Sequence, residues 1–322
     1  MNNKYYLGLD IGGTKCAVIA GTEKMELLGK TSFPTDTHLG PGHAINRLIE
    51  ASEEMITKFD HSGLQSVGIS CGGPLDSKKG LIQSPPNLPG WDNIPIVSML
   101  NEKFRVPVYL QNDANACALA EWRFGAGKGT ENMIFLTFGT GMGAGLILNG
   151  RLYSGTNDLA GEVGHIRLAD DGPEAYGKKG SFEGFCSGTG IAHLAGDILK
   201  RKLLAGETIS FCKTLDEADH ITAREVAEAA FMGDKTAIEI FEISGTWLGK
   251  GLSILIDILN PEVIVIGSIY ARCRKFLEPA CMKIINSEAL EPARRVCKIL
   301  PAELGEKVGD YASLCVAVTG NG

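Results

Sequence analysis

An apolar strand that breaks on glycines and resumes as a second apolar strand occurs twice in this chain. The repetition constrains the fold more than any other feature. One copy runs over residues 7–20 of "LGLDIGGTKCAVIA", the other over 134–148 of "IFLTFGTGMGAGLIL". A duplicated supersecondary unit predicts two similar halves, each offering one glycine hairpin, with room for a phosphate group between them. A hairpin that turns on Gly12 and Gly13 brings backbone N–H groups against an anion, because no Cβ blocks the approach. Thr14 adds a hydroxyl donor and Lys15 a point charge. Asp10, at the strand end, is placed to hold a hydrated Mg²⁺ beside the phosphates.

Two better-known phosphate motifs are excluded. The first loop is not G-x-x-x-x-G-K-[ST]. The second, Phe138 to Gly145, contains G-x-G-x-x-A, the dinucleotide fingerprint, which needs a helix directly after it. Here the segment "GLILNGRLY" follows, with strand composition and an Asn149-Gly150 turn.

The remaining pattern alternates strand and helix signals. Residues 41–59 carry apolar positions near a 3.6 period and predict a helix, as do 190–204, 222–232 and 234–259. Strands are expected at "LQSVGISC", "PVYLQ", "EVIVIGSI" and "RRVCKILPAEL", with a final helix after the last. A length of 322 residues suggests roughly two domains of ~150 residues. Net charge is 31 − 38 = −7, which argues against nucleic acid or an anionic membrane as the main partner. No apolar run approaches the ~18 residues of a membrane span, and the start lacks a signal-peptide core. Nine cysteines, an odd number without a C-x-x-C pair, read as free thiols of a reducing cytoplasm.

Polar residues cluster in glycine-rich loops that come after strands. Asn112 and Asp113 stand where a strand meets a helix, a position that an N-cap would also explain. Glu162 and His165 lie three apart in "AGEVGH", and Asn87 lies in the Pro-rich "SPPNLPGWDN". Each has a bland reading as turn or surface chemistry; their number and shared setting favour a site.

In order along the chain, "DIGGTK", "GGP", "PNLPGW", "NDAN", "FGTGMGAG", "GEVGH", E-x-x-x-S-G at Glu183 to Gly188, and "NPEVIVIGS" resemble the ROK family (repressors, open reading frames and sugar kinases). The resemblance implies an α/β, two-lobed, actin-like or ribonuclease-H-like ATPase fold with a cleft between lobes. The small lobe is expected over residues 1–114 plus about 301–322, and the large lobe over 115–300. It also implies ATP with Mg²⁺, contacted by Asp10, Gly12, Gly13, Thr14, Lys15, Gly139, Thr140, Gly141 and Gly267. The implied hexose is held by Gly73, Asn87, Asn112, Glu162, His165 and Glu183, with Asp113 as catalytic base. ATP-dependent phosphorylation of a hexose follows, of glucokinase type and at the 6-OH by family habit. A kinase for fructose, mannose, allose or an N-acylhexosamine is the alternative enzyme, and a non-catalytic sugar sensor the alternative class. A homodimer is compatible with the resemblance, and DNA binding is not expected.

One departure stands out. Many family members hold zinc with the GEVGH histidine and three cysteines. Glu174, Tyr176 and Ser181 stand where those cysteines would be. A histidine without thiolates is a poor zinc ligand set, so no structural zinc is expected. Elemental analysis of protein purified without added metal checks this: one tightly held zinc per chain would overturn it. Ser268, after Gly267, also stands where relatives often carry a second glycine.

Overall fold

The structure, a computed structural model, describes residues 4–59 and 61–320. The ends of the small lobe expected above, residues 1–3 and 321–322, lie outside the described residues, as does residue 60. The chain divides into two compact units. One takes the described residues up to Glu131, Gly145–Ala160, and those from Glu303 onward; the other takes Asn132–Ala144 and Gly161–Ala302.

In chain order the elements begin with β1 (Tyr5–Ile11), β2 (Lys15–Gly21), β3 (Leu27–Pro34), α1 (Pro41–Thr57) and β4 (Leu64–Cys71). A short hairpin, β5 (Leu75–Asp76) and β6 (Leu81–Ile82), precedes α2 (Ile96–Phe104), β7 (Val108–Asn112) and α3 (Asp113–Phe124). Next come β8 (Met133–Phe138), β9 (Met142–Leu148) and β10 (Arg151–Leu152). A second short hairpin, β11 (Glu174–Ala175) and β12 (Lys178–Lys179), leads into a helical stretch. This comprises α4 (Phe182–Phe185), α5 (Gly188–Leu204), α6 (Leu215–His220), α7 (Ala223–Phe231) and α8 (Lys235–Leu259). The chain closes with β13 (Val263–Ile266), α9 (Ile269–Glu288), α10 (Glu291–Val296), β14 (Lys298–Pro301) and α11 (Val308–Thr319).

The two main sheets have the same logic. One is ordered β3-β2-β1-β4-β7, the other β10-β9-β8-β13-β14. In the first, β1 pairs antiparallel with β2 and parallel with β4, which pairs parallel with β7. In the second, β13 lies parallel to both β8 and β14. Each sheet thus starts from one glycine hairpin and grows by parallel strands on the same side of it. The duplication legible in the sequence is a duplication of sheet topology, and the expected two-lobed, actin-like α/β class is the one observed.

Buried strands read as β-branched and apolar runs, as parallel pairing with covered faces demands. All four residues of β13, Val-Ile-Val-Ile, are buried. Helix α1 starts with Pro41 at its first position, where the missing N–H costs nothing. It then buries Ala44, Ile45, Leu48, Ala51, Ser52, Met55 and Ile56, the stripe its period predicted. Helix α11 packs on the first sheet at backbone distance. A Cβ on Gly8 would lie 2.6 Å from Leu314 N, and one on Gly68 would lie 2.1 Å from Ala317 N.

One sequence expectation is corrected. Arg294–Val296 were read as the start of the last strand, but they end α10, and β14 begins at Lys298. Pro292 in the first helical turn explains this, since its fixed φ seeds a helix and removes a donor a strand would need. The nine cysteines are all unpaired and eight are buried; Cys297 alone is intermediate. Among the described residues, no helix is long and apolar enough to cross a membrane.

Candidate active site

The first unit gathers its candidate residues at one end of its sheet. Register places Asp10 beside Ser70 and Ser70 beside Gln111, and one step on, Ile11 beside Cys71 and Cys71 beside Asn112. The carboxyl ends of β1, β4 and β7 are therefore level; the turns leaving β1 and β4 carry Gly12-Gly13 and Gly72-Gly73, and β7 passes directly into α3 at Asn112-Asp113. Such strand ends are where open α/β sheets bind ligands. Asn87 joins them: a Cβ on Gly13 would lie 2.5 Å from Asn87 O, and one on Gly72 would lie 3.3 Å from Asn87 Oδ1. Gly73 stands against Asn112, with Nδ2 3.1 Å from where a Cβ would be. Neither Gly12 nor Gly13 has positive φ, so both are needed for close approach, as the hairpin argument supposed.

Strand ends at β7 and helix α3 begins through a double cap. Asn112 Oδ1 accepts from Ala114 N at 3.0 Å, and Asp113 Oδ1 accepts from the same N–H at 2.7 Å. The capping reading and the site reading of this pair are thus both true of its geometry. One carboxylate oxygen of Asp113 is fixed by the backbone, which orients the whole group.

Asp10 sits in a crowded field. Burial pushes its carboxyl up to about 6, and the neighbouring carboxylates of Asp113 and Asp310 push the same way, against Lys15 and Lys30. Asp310, in the first turn of α11, takes the Lys30 ammonium on both oxygens, at 2.6 and 2.7 Å. Gly309, one residue earlier, is where a Cβ would touch Asp10 Oδ2 at 3.4 Å. A carboxyl whose ionisation is opposed by burial, and then by two neighbouring carboxylates, suits a hydrated divalent cation, which would relieve the repulsion.

Four supporting residues escaped the sequence reading. Thr35 braces the first hairpin: its Oγ1 donates to Gly12 O at 2.6 Å and its N–H donates to Thr14 O at 3.0 Å. Lys30 and Asp310 are 280 positions apart, so no local pattern could pair them. Glu121 is fully buried on α3, where its carboxylate accepts N–H groups of Ala126, Leu304 and Glu303 at 2.9, 2.9 and 3.2 Å. It ties the helix that begins with Asp113 to the segment that leads into α11. A Cβ on Gly125 would collide with that carboxylate at 2.1 Å.

The second unit forms its own cluster. Gly139 N–H donates to Gly141 O at 3.1 Å to close the second hairpin, and Gly143 N–H donates to Thr137 Oγ1 at 2.8 Å. Strand β9 follows, with no helix, as the exclusion of a dinucleotide fingerprint required. The start of α5 is fastened to the turn: Gly188 N–H donates to Gly139 O at 2.7 Å, and Thr189 N–H to Thr140 O at 3.3 Å. Glu183 Oε2 accepts from Met142 N–H at 2.8 Å, and Gly164 of the 3₁₀ turn Val163–His165 abuts the same side chain. Glu162, His165 and Glu183 therefore share one neighbourhood with Gly141. Among the described residues, no three His, Cys, Asp or Glu side chains are arranged to hold a metal.

Gly267 N–H donates to Leu136 O at 3.0 Å, and Ser268 Oγ lies 3.9 Å from where a Cβ on Gly139 would be. Ser268 has φ 54° and ψ −115°, a conformation glycine adopts freely and serine does not. Replacing Ser268 with glycine is expected to stabilise the protein by about 1 kcal/mol, read as a rise in urea midpoint. An unchanged or lowered midpoint would show that the Ser268 side chain more than offsets the strain.

The duplicated sheet topology, with a glycine hairpin at the start of each sheet, defines an α/β protein of the actin-like class. The ROK family model matches residues 6–315, and the chain belongs to the ROK family. It is 33% identical over 271 residues to a glucokinase of Halalkalibacterium halodurans, covering 83% of this chain and 81% of that protein. An N-acetylglucosamine repressor of Escherichia coli is 30% identical over 317 residues, covering 96% of this chain and 75% of the repressor. Among solved structures, a ROK family glucokinase from Streptomyces griseus in complex with glucose and AMPPNP superposes with a TM-score of 0.78. It is 27% identical to this chain, and the match covers 98% of this chain and all of the other.

Proposed function

We propose that this protein is an ATP-dependent hexose kinase of glucokinase type, acting in the cytoplasm. The observation that carries the proposal is the level end of β1, β4 and β7. There a glycine hairpin, the acidic Asp10 and the oriented Asp113 meet in one unit. Kinship with a glucokinase, and the likeness to a glucokinase holding glucose and AMPPNP, support the same reading.

In this reading Asn87, Asn112, Glu162, His165 and Glu183 satisfy the sugar hydroxyls, which both donate and accept. Asp113 takes the proton of the attacking hydroxyl, by family habit the 6-OH. That oxygen forms a bond to the γ-phosphorus of ATP as the bond to the β,γ-bridging oxygen breaks and ADP leaves. Backbone N–H groups of the two hairpins, with Thr14 and Lys15, hold the phosphates in place. Asp10 would hold hydrated Mg²⁺, which supplies charge neutralisation across the phosphate oxygens. Positioning and neutralisation account for most of the catalysis in phosphoryl transfer, so one oriented carboxylate suffices as base.

An ADP-release assay over a panel of glucose, fructose, mannose, allose and N-acylhexosamines tests the proposal. Turnover with at least one hexose is expected, with glucose preferred. Binding without turnover would favour a sugar sensor, the reading that kinship with a repressor keeps in play.

A pH dependence follows from Asp10. Its folded pKa of about 6 lies above the usual carboxylate range, so the native state binds the extra proton between pH ~4 and ~6. The contribution of Asp10 to native stability therefore falls as pH rises through that window, and is lost above it. Activity runs the other way, since Asp10 must be ionised to serve a cation. An acid limb near pH 6 is expected in kcat/KM, and Asp10→Asn is expected to raise Tm at pH 7.5 while abolishing turnover. A lowered Tm for that variant would contradict the assignment.

A further inference from the structure

We propose that the β11–β12 hairpin is a bracket that fixes His165 for sugar recognition, with Tyr176 and Lys178 as its positioning residues. The inference rests on the kinase reading above and deepens it.

His165 ends a 3₁₀ turn that Gly164 presses against Met142 O and Glu183. Its side chain is exposed, so its own turn does little to hold the ring. The hairpin supplies what is missing. The rings of His165 and Tyr176 lie 5.3 Å apart between centroids, tilted by 57°. Lys178 Nζ donates to His165 O at 2.7 Å, so backbone and ring of the same histidine are held by residues two apart.

A hairpin of two residue pairs, Glu174 with Lys179 and Ala175 with Lys178, is not stable alone. This one is fastened at both strands. Arg167 Nη1 donates to Lys179 O at 2.8 Å, Leu168 and Ala169 donate N–H bonds to Gly180 O, and Gly180 N–H donates to Pro173 O. Its tip is also defined. Tyr176 at φ 49° and Gly177 at φ 66° form the left-handed pair of a two-residue turn that matches strand twist. A tyrosine at the first of those positions is unfavourable for the backbone, so its presence needs a reason in its side chain. The residue is 68% exposed, yet its ring rests against that of His165. Burial, then the carboxylates of Glu183 and Glu162, push the phenol above its ordinary range, so the hydroxyl lies in the field of both acids. Ring, imidazole and two carboxylates make a polar rim suited to a cyclic polyol.

Tyr176→Asn separates this role from a merely structural one. It places the Asn-Gly pair that such turns prefer, so the hairpin is kept or strengthened while the ring is lost. Hexose affinity without nucleotide would be measured by calorimetry, alongside steady-state kinetics and Tm, for Tyr176→Asn, Tyr176→Phe and Lys178→Met. Expected for Tyr176→Asn is about a tenfold rise in hexose Kd and KM, with kcat, ATP KM and Tm held. Tyr176→Phe, which keeps the ring, is expected to stay within about threefold of wild type, and Lys178→Met to fall between the two. Hexose affinity within about twofold of wild type for Tyr176→Asn would overturn the bracket, while Glu162→Gln still weakening the sugar would leave the kinase reading standing. A wild-type protein that binds no hexose in the panel would overturn both.

Discussion

Asp113→Asn is expected to lower kcat by about 10³-fold while the hexose still binds. General-base catalysis by a positioned carboxylate contributes roughly 10²–10⁴ in rate. The amide keeps the shape of the carboxylate and an oxygen that can accept from Ala114 N–H, the bond now at 2.7 Å. Helix α3 should therefore start as before, so the loss would not come from a misfolded cap. Because the variant also removes one of the charges that raise the Asp10 carboxyl, Asp10 should ionise more readily in it. Sugar affinity by calorimetry and kcat by ADP release, on the same preparation, make the comparison. A variant with near-normal kcat would mean that the proton leaves by another route, and Asp113 would keep only its place as a cap.

Gly68→Ala is the second large effect, and it acts on stability. The added methyl would lie 2.1 Å from Ala317 N, 2.4 Å from Ser313 O and 2.7 Å from Ala317 Cα, all backbone atoms of α11. Flexible side chains can yield to a new methyl; a helix backbone yields only by moving as a body. Overpacking of this kind costs about 3 kcal/mol or more, at the upper end of small-to-large changes. The urea midpoint should fall accordingly. The damage should also reach the site, since α11 carries the Lys30–Asp310 pair and sets Gly309 against Asp10. Gly8→Ala should behave alike: Ser313 Oγ at 2.5 Å can turn away, but Leu314 N at 2.6 Å and Ser313 C at 2.9 Å are again backbone of α11. Equal midpoints for Gly68→Ala and wild type would show that α11 is free to lift.

What could be read from the sequence was what local chemistry writes locally. Asp10 at a strand end, the glycine pair after it, and Asn112-Asp113 at a strand-to-helix junction are each fixed by neighbours a few residues away. Sheet duplication was legible because each copy is contiguous. The supports of the site were not. Lys30 meets Asp310, and Glu121 meets Leu304, only after the chain has returned from far along its length. Thr35 holds Gly12 from across a strand pair that carries no marker of its own. The β11–β12 hairpin has too few residues for a period-two pattern, and its turn chemistry at Tyr176 runs against preference. Misreading Arg294–Val296 as strand had a similar origin, since apolar and β-branched content outweighed one proline.

The sealed cysteines have a practical use. Eight thiols are buried, and even Cys297 is pushed up to about 12 by burial, so at neutral pH the native protein presents almost no thiolate to an alkylating reagent. Cys16 on β2 and Cys71 at the end of β4 lie in the first unit, Cys186 and Cys281 in the other. The order in which a maleimide marks these positions under mild denaturant would then chart which unit opens first, with no reporter added.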